Sequence, residues 1–306
     1  MTSNYVKLGV EIAGVKFKAP LLPASGTFGV GIEVKDVQFL NQLPGLVIKT
    51  LFLNPRPGNP PPRLYETPCG LLNSVGIPSE GYDVFIEKYE AFLSSLNIPI
   101  IISIGGETVE DFVNLACLVQ QHKFVSALEI NVSCPNIRRG KRFDDSIADL
   151  RELLAALRAN VHKPLFVKLS PRTEIIDRVS VVAEYGGDAV VIANTWTGMA
   201  IDVYRKRPVF ANIYGGLSGP AIKPLTLALV WQVAETTKLP IIASGGITRG
   251  IDVLEYLMAG ASICQVGTAN LINYTSILKI EQELVNLMRD MKIKDVVEII
   301  GAARRE

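Results

Sequence analysis

Histidine and cysteine are scarce in these 306 residues: two His, at 122 and 162, and four Cys, at 69, 117, 134 and 264. The cysteines are scattered, with no Cys-x-x-Cys spacing, which argues against an intrachain metal cluster or disulfide framework and fits a reducing cytosol. Both histidines fall at helix ends or in loops, where a surface role outweighs a ligand role, so no metal site is expected. An excess of one charge sign is missing too: 31 Lys and Arg against 30 Asp and Glu leave +1, with no basic stripe. A chain so balanced has no electrostatic footprint for nucleic acid. No apolar stretch approaches the ~18–20 residues of a membrane span. The opening residues, Met1-Thr2-Ser3-Asn4-Tyr5, lack the pattern of a signal peptide. The expectation is a cytoplasmic protein that neither crosses a membrane nor binds nucleic acid.

Apolar residues are plentiful, at 48% of the chain, enough for a large core. They recur as short runs that read as strands: Pro20–Ala24, Leu46–Thr50, Ile100–Ile104, Ala127–Val132, Leu165–Leu169, Ala189–Asn194, Pro240–Ala243 and Ser262–Val266. Near-continuous apolar character suits strands buried on both faces, as in a parallel sheet. Helical periodicity fills the gaps at Glu33–Leu40, Tyr82–Leu96, Val109–Gln121, Ile147–Asn160, Ile175–Tyr185, Leu225–Thr237, Ile251–Met258 and Ile277–Met291. Thr108, and Asp144 with Asp145, precede helices as caps, and Gly186-Gly187 and Gly260 supply left-handed exits. Eight strand–helix units predict an α/β fold, a (β/α)8 TIM barrel, ahead of an open doubly wound sheet. Val6–Val10 and Val15–Phe17, around Ala13-Gly14, predict an N-terminal β-hairpin covering the N-terminal face. No linker-like run interrupts the chain, so residues 1–306 are expected to form one domain.

Long connections follow three strands, at Leu51–Gly81, Ser133–Ser146 and Thr195–Pro224. Long loops at the C-terminal face are where a barrel builds its site. The Pro-rich piece Asn54–Pro62 reads equally as a surface loop or as a wall of that site. The strand ends converge there: Ser25-Gly26, Lys49-Thr50, Ser103, Asn131 with Cys134, Lys168, Asn194-Thr195, Ser244-Gly245-Gly246 and Gly267-Thr268. Lysines with several amides, Asn73 included, suit a compact anionic substrate carrying amide groups, or an anionic cofactor. Gly245-Gly246 and Gly267-Thr268, each opening a helix after the last two strands, predict a phosphate cradle built from backbone N–H groups. A flavin mononucleotide is such a group, and Lys168 would stabilise negative charge on its reduced form. The run Asn131-Val132-Ser133-Cys134-Pro135-Asn136 places a thiol between two amides. Cys can act as base or nucleophile, and amides can read a planar imide. The bland alternative for Cys134 is a buried, inert thiol beside a proline turn.

In order along the chain, these and other motifs resemble the class 1 dihydroorotate dehydrogenases. The motifs are Ala24-Ser25-Gly26-Thr27-Phe28-Gly29, Gly58-Asn59-Pro60-Pro61-Pro62-Arg63, Asn73-Ser74-Val75-Gly76-Ile77, the Asn131–Asn136 run, Val167-Lys168-Leu169-Ser170, Asn194-Thr195, Gly216-Leu217-Ser218-Gly219-Pro220 and Val266-Gly267-Thr268. The resemblance implies one FMN per chain and oxidation of (S)-dihydroorotate to orotate in pyrimidine biosynthesis. It implies Cys134 as the base that takes the proton from carbon 5 while the hydride on carbon 6 passes to the flavin. Asn73, Asn131, Asn136 and Asn194 match the amides that hold the ring and its carboxylate. Lys49 would balance that carboxylate, and Ser74, Val75, Gly76, Ile77 and Thr195 complete the substrate set. Ser25, Lys49, Thr50, Ser103, Asn131, Lys168, Ala193, Gly219, Gly245, Gly246, Gly267 and Thr268 match flavin-contacting positions.

Within class 1, Asn194-Thr195 and the segment from Gly216 to Pro224 resemble the NAD-linked subclass 1B, which works with a separate iron–sulfur and FAD subunit. Ser103 departs from that pattern, which usually has Asn there, and matches the fumarate-linked subclass 1A. The resemblance implies a homodimer, or a heterotetramer with the electron-transfer subunit. An FMN-dependent dihydropyrimidine-type reductase and a non-catalytic flavin-binding barrel are the remaining alternatives. Four Asn with Lys49 suit a carboxylated ring better than dihydrouracil. Arg56, Arg63 and the Arg138-Arg139-Gly140-Lys141 loop are charged groups that either gate the site or are solvated.

Overall fold

The computed structural model describes residues 6–133 and 142–305. Eight parallel strands form one sheet: Leu21–Pro23, Leu46–Leu51, Ile100–Ile104, Val125–Asn131, Leu165–Leu169, Ala189–Ile192, Ile241–Ser244 and Ile263–Val266. They are called the first to eighth barrel strands below. They lie side by side in chain order, and the eighth returns to the first with Cys264 opposite Leu21. The first and second strands pack together at the seam. Ser25 Oγ donates to Ile48 O across it at 3.1 Å, and Lys49 N donates to Gly29 O at 2.9 Å. The sheet is thus curled into the expected barrel. Every residue of the third and fifth strands is buried, as strands covered on both faces require.

Helices follow the strands at Tyr82–Ser94, Val109–Val119, Ile147–Asn160, Ile175–Glu184, Lys223–Thr236, Gly250–Ala259 and Ser276–Asp290. Thr108 forms a capping box with Asp111, and Gly186 and Gly260 have the left-handed φ values of 85° and 116° expected of them. The expected helix at Glu33–Leu40 is instead a 3-10 turn, Ile32–Val34, and a single turn, Val37–Leu40. Lys35 at φ 56° breaks it, and Asp36 caps the second piece by accepting from Phe39 N. Asp144 and Asp145 do not cap the following helix. They lie in the 3-10 turn Phe143–Asp145, and Ser146 is the cap.

The N-terminal hairpin pairs Val10–Ile12 with Val15–Phe17, turning through Ala13 and Gly14, both at positive φ. It starts later than expected, because Lys7 bridges to Asp295 instead. Buried Phe17 lies against Gly45, where a Cβ would come within 3.3 Å of its ring and 3.1 Å of Pro99 O. The hairpin therefore seals the barrel bottom beside the starts of the second and third strands. At the opposite face, two of the three long connections are not loose loops. They fold together into an antiparallel sheet in the order Trp196–Met199, Tyr214–Ser218, Gly70–Asn73, Leu64–Thr67. These strands are short, three of the four contain Gly, and they carry little apolar alternation, so periodicity does not reveal them.

Candidate active site

A chain of hydrogen bonds crosses the C-terminal mouth. Asn131 ends the fourth strand, and its Nδ2 donates to Thr50 Oγ1 at 3.0 Å. Thr50 Oγ1 shares a 2.9 Å bond with Ser103 Oγ and lies 3.5 Å from Ser25 Oγ. On the other side, Ser133 Oγ donates to Asn131 Oδ1 at 3.2 Å and accepts from Asn194 Nδ2 at 2.8 Å. Thr195 N donates to Asn194 Oδ1 at 2.8 Å. Ala193, after a cis Ile192–Ala193 peptide, is tied to the next strand by its N–H to Ser244 O at 3.1 Å. Thr50, Ser103, Asn131 and Ser133 are buried, so these bonds hold the amides in fixed orientations. Among the described residues Asn131 and Asn194 each spend one side-chain N–H, so each has a second N–H that could meet a ligand.

Lys168 is the last residue but one of the fifth strand and lies opposite Asn131. Its Nζ donates to Gln265 Oε1 at 3.3 Å and lies 3.6 Å from Glu129 Oε1. Lys49 is half-buried, and its ammonium has no ion-pair partner among the described residues.

The glycines converge as a cradle. Gly219 and Gly246 have φ of 95° and 71°. A Cβ on Gly246 would lie 2.7 Å from Lys223 Cβ and 2.9 Å from Gly219 O, and one on Gly219 would lie 2.8 Å from Gly70 Cα. Only glycine fits either place. Thr268 Oγ1 donates to Ser218 Oγ at 2.8 Å, drawing the end of the eighth strand to the same point. Gly267 is open, its nearest atom to an added Cβ being Ala24 Cβ at 3.9 Å. Backbone that approaches this closely, without side chains, suits a phosphate.

The two glycine-rich ends meet their helices differently: Gly267 opens one as expected, and Gly245-Gly246 does not. Gly245-Gly246 ends before the helix starts at Gly250, and Gly267 opens only the five-residue helix Thr268–Ile272. The N-terminus of Gly250–Ala259 is already occupied by carboxylates. Asp252 Oδ2 accepts from Thr248 N and Arg249 N at 2.9 Å, and Glu283 Oε2 from Gly250 N at 2.8 Å. An anion there is left to the loop amides and to the start of Thr268–Ile272. Beneath the loop, Lys223 Nζ bridges Asp252 and Glu255 at 2.6 Å each, and Tyr256 OH donates to Gly245 O at 2.7 Å. Burial pushes the Tyr256 phenol well above its ordinary range, so it stays a donor.

Beside the amides opens a cavity of about 820 Å³, lined by Phe52, Arg56, Asn59, Gly76, Thr195 and Gly216 among others. Asn54, Pro55, Pro57 and Gly58 line it as well, so the first part of the Pro-rich piece walls this cavity. The arginines of this loop are not simply solvated. Arg56 pairs with Glu107 at 3.0 Å and lies over the Phe52 ring. Arg63 donates to Asn59 O at 2.6 Å and Pro57 O at 3.1 Å. Asn73 ends its strand with Nδ2 donating to Gly216 O at 3.0 Å. Ser74 Oγ accepts from Asn59 Nδ2 at 3.2 Å, Val75 O accepts from Asn59 N at 3.0 Å, and Gly76 and Ile77 turn at φ 75° and 46°. His122, also expected at the surface, is wedged between Tyr82 OH at 2.9 Å and Glu90 Oε1 at 2.6 Å. No metal-holding cluster occurs among the described residues.

Cys134, Asn136 and the Arg138–Lys141 segment lie outside the described residues. Sequence reasoning missed Glu129, Gln265, Asp252 and Tyr256. A signal existed for the first two: Leu128-Glu129-Ile130 and Cys264-Gln265-Val266 put a polar residue inside an otherwise apolar buried strand. Glu129 stands two residues before Asn131, on the same face.

Comparison with known proteins agrees with this geometry. The sequence profile of the dihydroorotate dehydrogenase family matches residues 7–288. A protein of Citrifermentans bemidjiense named dihydroorotate dehydrogenase B (NAD(+)), catalytic subunit, is 42% identical over 96% of this chain and 97% of its own. One of the same name from Geobacter metallireducens is 43% identical over the same shares. In fold, the chain is similar to dihydroorotate dehydrogenase from Eimeria tenella, solved in complex with ferulenol. The TM-score is 0.84 at 23% identity, over 100% of this chain and 91% of that one.

Proposed function

The chain belongs to the dihydroorotate dehydrogenase family, and from that premise we propose that it uses FMN, held at the barrel mouth, to oxidise (S)-dihydroorotate to orotate. It is an oxidoreductase of pyrimidine biosynthesis. One observation carries the reading: a fixed amide chain, Thr50–Asn131–Ser133–Asn194, faces the same mouth as a glycine-only cradle. The donor set fits both groups it would hold. Backbone amides at Gly219, Gly245, Gly246, Gly267 and Thr268 would hold the phosphate. Ser25, Thr50, Ser103, Ala193 and Lys168 would contact the ring system, with Lys49 and Asn131 shared between flavin and substrate. Asn73, Asn136 and Asn194 hold the dihydropyrimidine, with the Ser74–Ile77 turn and Thr195 alongside, and Lys49 balances its carboxylate.

FMN held there would supply the two-electron acceptor for the hydride that leaves carbon 6. Cys134 takes the proton from carbon 5, so the substrate loses two electrons and two hydrogens and gains a ring double bond. An ordinary thiol has a pKa of about 8.5, so the base works better as pH rises.

The relatives' names support an NAD+-linked enzyme whose catalytic chain works with a separate subunit. In that assignment residues 1–306 form one FMN-binding domain. The chain pairs as a homodimer and joins an iron–sulfur/FAD subunit in a heterotetramer in the cytoplasm. Among the described residues no helix is long and apolar enough to cross a membrane. The test is competition between dihydroorotate and dihydrouracil for reduction of the bound flavin, followed by NAD+ reduction with and without the partner. Preference for dihydroorotate, with NAD+ reduced only when the partner is added, is expected. Preference for dihydrouracil would make the chain a dihydropyrimidine reductase. Fumarate accepted directly would place it in subclass 1A.

A further inference from the structure

Beneath the amide chain, three side chains from three strands close a ring inside the barrel. Glu129 Oε2 accepts from Gln265 Nε2 at 2.7 Å, and Gln265 Oε1 accepts from Lys168 Nζ at 3.3 Å. Glu129 Oε1 lies 3.6 Å from the same ammonium. Glu129 is 1% exposed, and that Oε1 has no hydrogen-bond partner among the described residues. Neighbouring strand positions, such as Leu128 and Ile130, are filled by apolar residues. A carboxylate so deep costs stability unless it is charge-paired, and a well-packed apolar residue would serve packing at least as well. The pairing is lopsided. Lys168 spends one of its three N–H donors, on Gln265, and meets Glu129 at ion-pair rather than hydrogen-bond distance. The ammonium is thus held from below, and among the described residues its remaining donors make no hydrogen bond.

We propose that Glu129 is a positioning residue for Lys168. Its carboxylate fixes the ammonium at the strand end and opposes part of its charge, and so sets how strongly Lys168 favours the reduced flavin. This rests on the reading that FMN lies against Lys168. Opposite charges a few ångströms apart in a dry interior act strongly on one another, and a reduced flavin beside Lys168 gains less from a lysine whose charge is partly opposed. Gln265 relays the restraint, since it bonds to both partners.

The measurement is the midpoint potential of FMN in the holoenzyme for wild type, Glu129→Gln and Glu129→Asp. Glu129→Gln keeps the shape and removes the charge. It is expected to shift the reduced-to-oxidised ratio about tenfold toward reduced, a rise of about 30 mV for a two-electron couple. Glu129→Asp keeps the charge but withdraws it by one methylene, and gives a smaller rise. A role in packing alone moves neither. Wild-type potentials in both variants, or a fall in Glu129→Gln, overturn the proposal. If Glu129→Gln does not hold FMN, Glu129→Asp decides: a rise supports the proposal and an unchanged potential overturns it. A wild-type protein that takes up no FMN is a different result, which sinks the cofactor reading and this proposal with it.

Discussion

Replacing Asp252 by Ala removes four hydrogen bonds at once: from Thr248 N, Thr248 Oγ1, Arg249 N and Lys223 Nζ. The side chain is 4% exposed, so solvent screening discounts little of their worth. Loss of the cap costs about 1 kcal/mol, and loss of a bond to a charged group about 1.5–3 kcal/mol. Breaking a buried ion pair reaches ~3–5 kcal/mol when it strands a charge. Lys223 is not stranded, because Glu255 remains at 2.6 Å. The expected loss is therefore about 3 kcal/mol, at the low end of that range. Glu255→Ala is the control: Glu255 is 43% exposed, and an exposed pair is worth ~1 kcal/mol or less. Burial works to raise the Asp252 carboxyl, but the Lys223 ammonium and the bonds from Thr248 and Arg249 outweigh it and hold it below the ordinary value. A carboxyl lowered in the folded state stabilises above its unfolded value of about 3.9 and loses that contribution as pH falls through its folded value. Chemical denaturation of both variants and wild type, at neutral and acid pH, reads all of this. A loss below about 1 kcal/mol in Asp252→Ala, an equal loss in Glu255→Ala, or a wild-type advantage that persists undiminished well below pH 4, refutes the reasoning.

Other outcomes follow from the site. Cys134→Ala should leave FMN bound, checked by its visible spectrum, while slowing flavin reduction by dihydroorotate about 10²-fold or more, as loss of a general base does; normal reduction removes Cys134 from the chemistry. Ser103 is fully buried and bonded to Thr50, so Ser103→Asn, toward the usual 1B residue, is expected to overpack the mouth and cost about 1–3 kcal/mol in a denaturation series. Gly246→Ala forces a Cβ to 2.7 Å from Lys223 Cβ at φ 71°; FMN titration by fluorescence should show at least a tenfold weaker Kd, with an unchanged Kd contradicting the cradle.

The barrel was legible because its strands are buried on both faces, so short apolar runs mark them: Leu165–Leu169 has the same bounds in the sequence and in the structure. The helix Ile147–Asn160 was read with equal accuracy, its leucines at helical spacing facing the core. The break at Lys35 was not legible, since a positive φ on a lysine leaves no compositional trace. Nor was the sheet over the mouth, whose pairing of Gly216 with Asn73 joins segments 143 residues apart. Among site residues, Asn131, Thr50, Ser103 and Asn194 could be found from their places at strand ends, and they do meet. Glu129 and Gln265 lay within strands read as apolar, and their partnership needs the barrel's closure to be seen. Asp252 and Tyr256 act from a helix, on a loop that the sequence marks only by its glycines.

The central claim is that this chain holds FMN and that dihydroorotate reduces it. The direct measurement is an anaerobic visible spectrum of the purified protein, supplied with FMN, before and after adding dihydroorotate. Loss of the oxidised-flavin absorbance is the predicted result. A flavin that binds and stays oxidised contradicts the substrate, and a protein that binds no FMN contradicts the account as a whole.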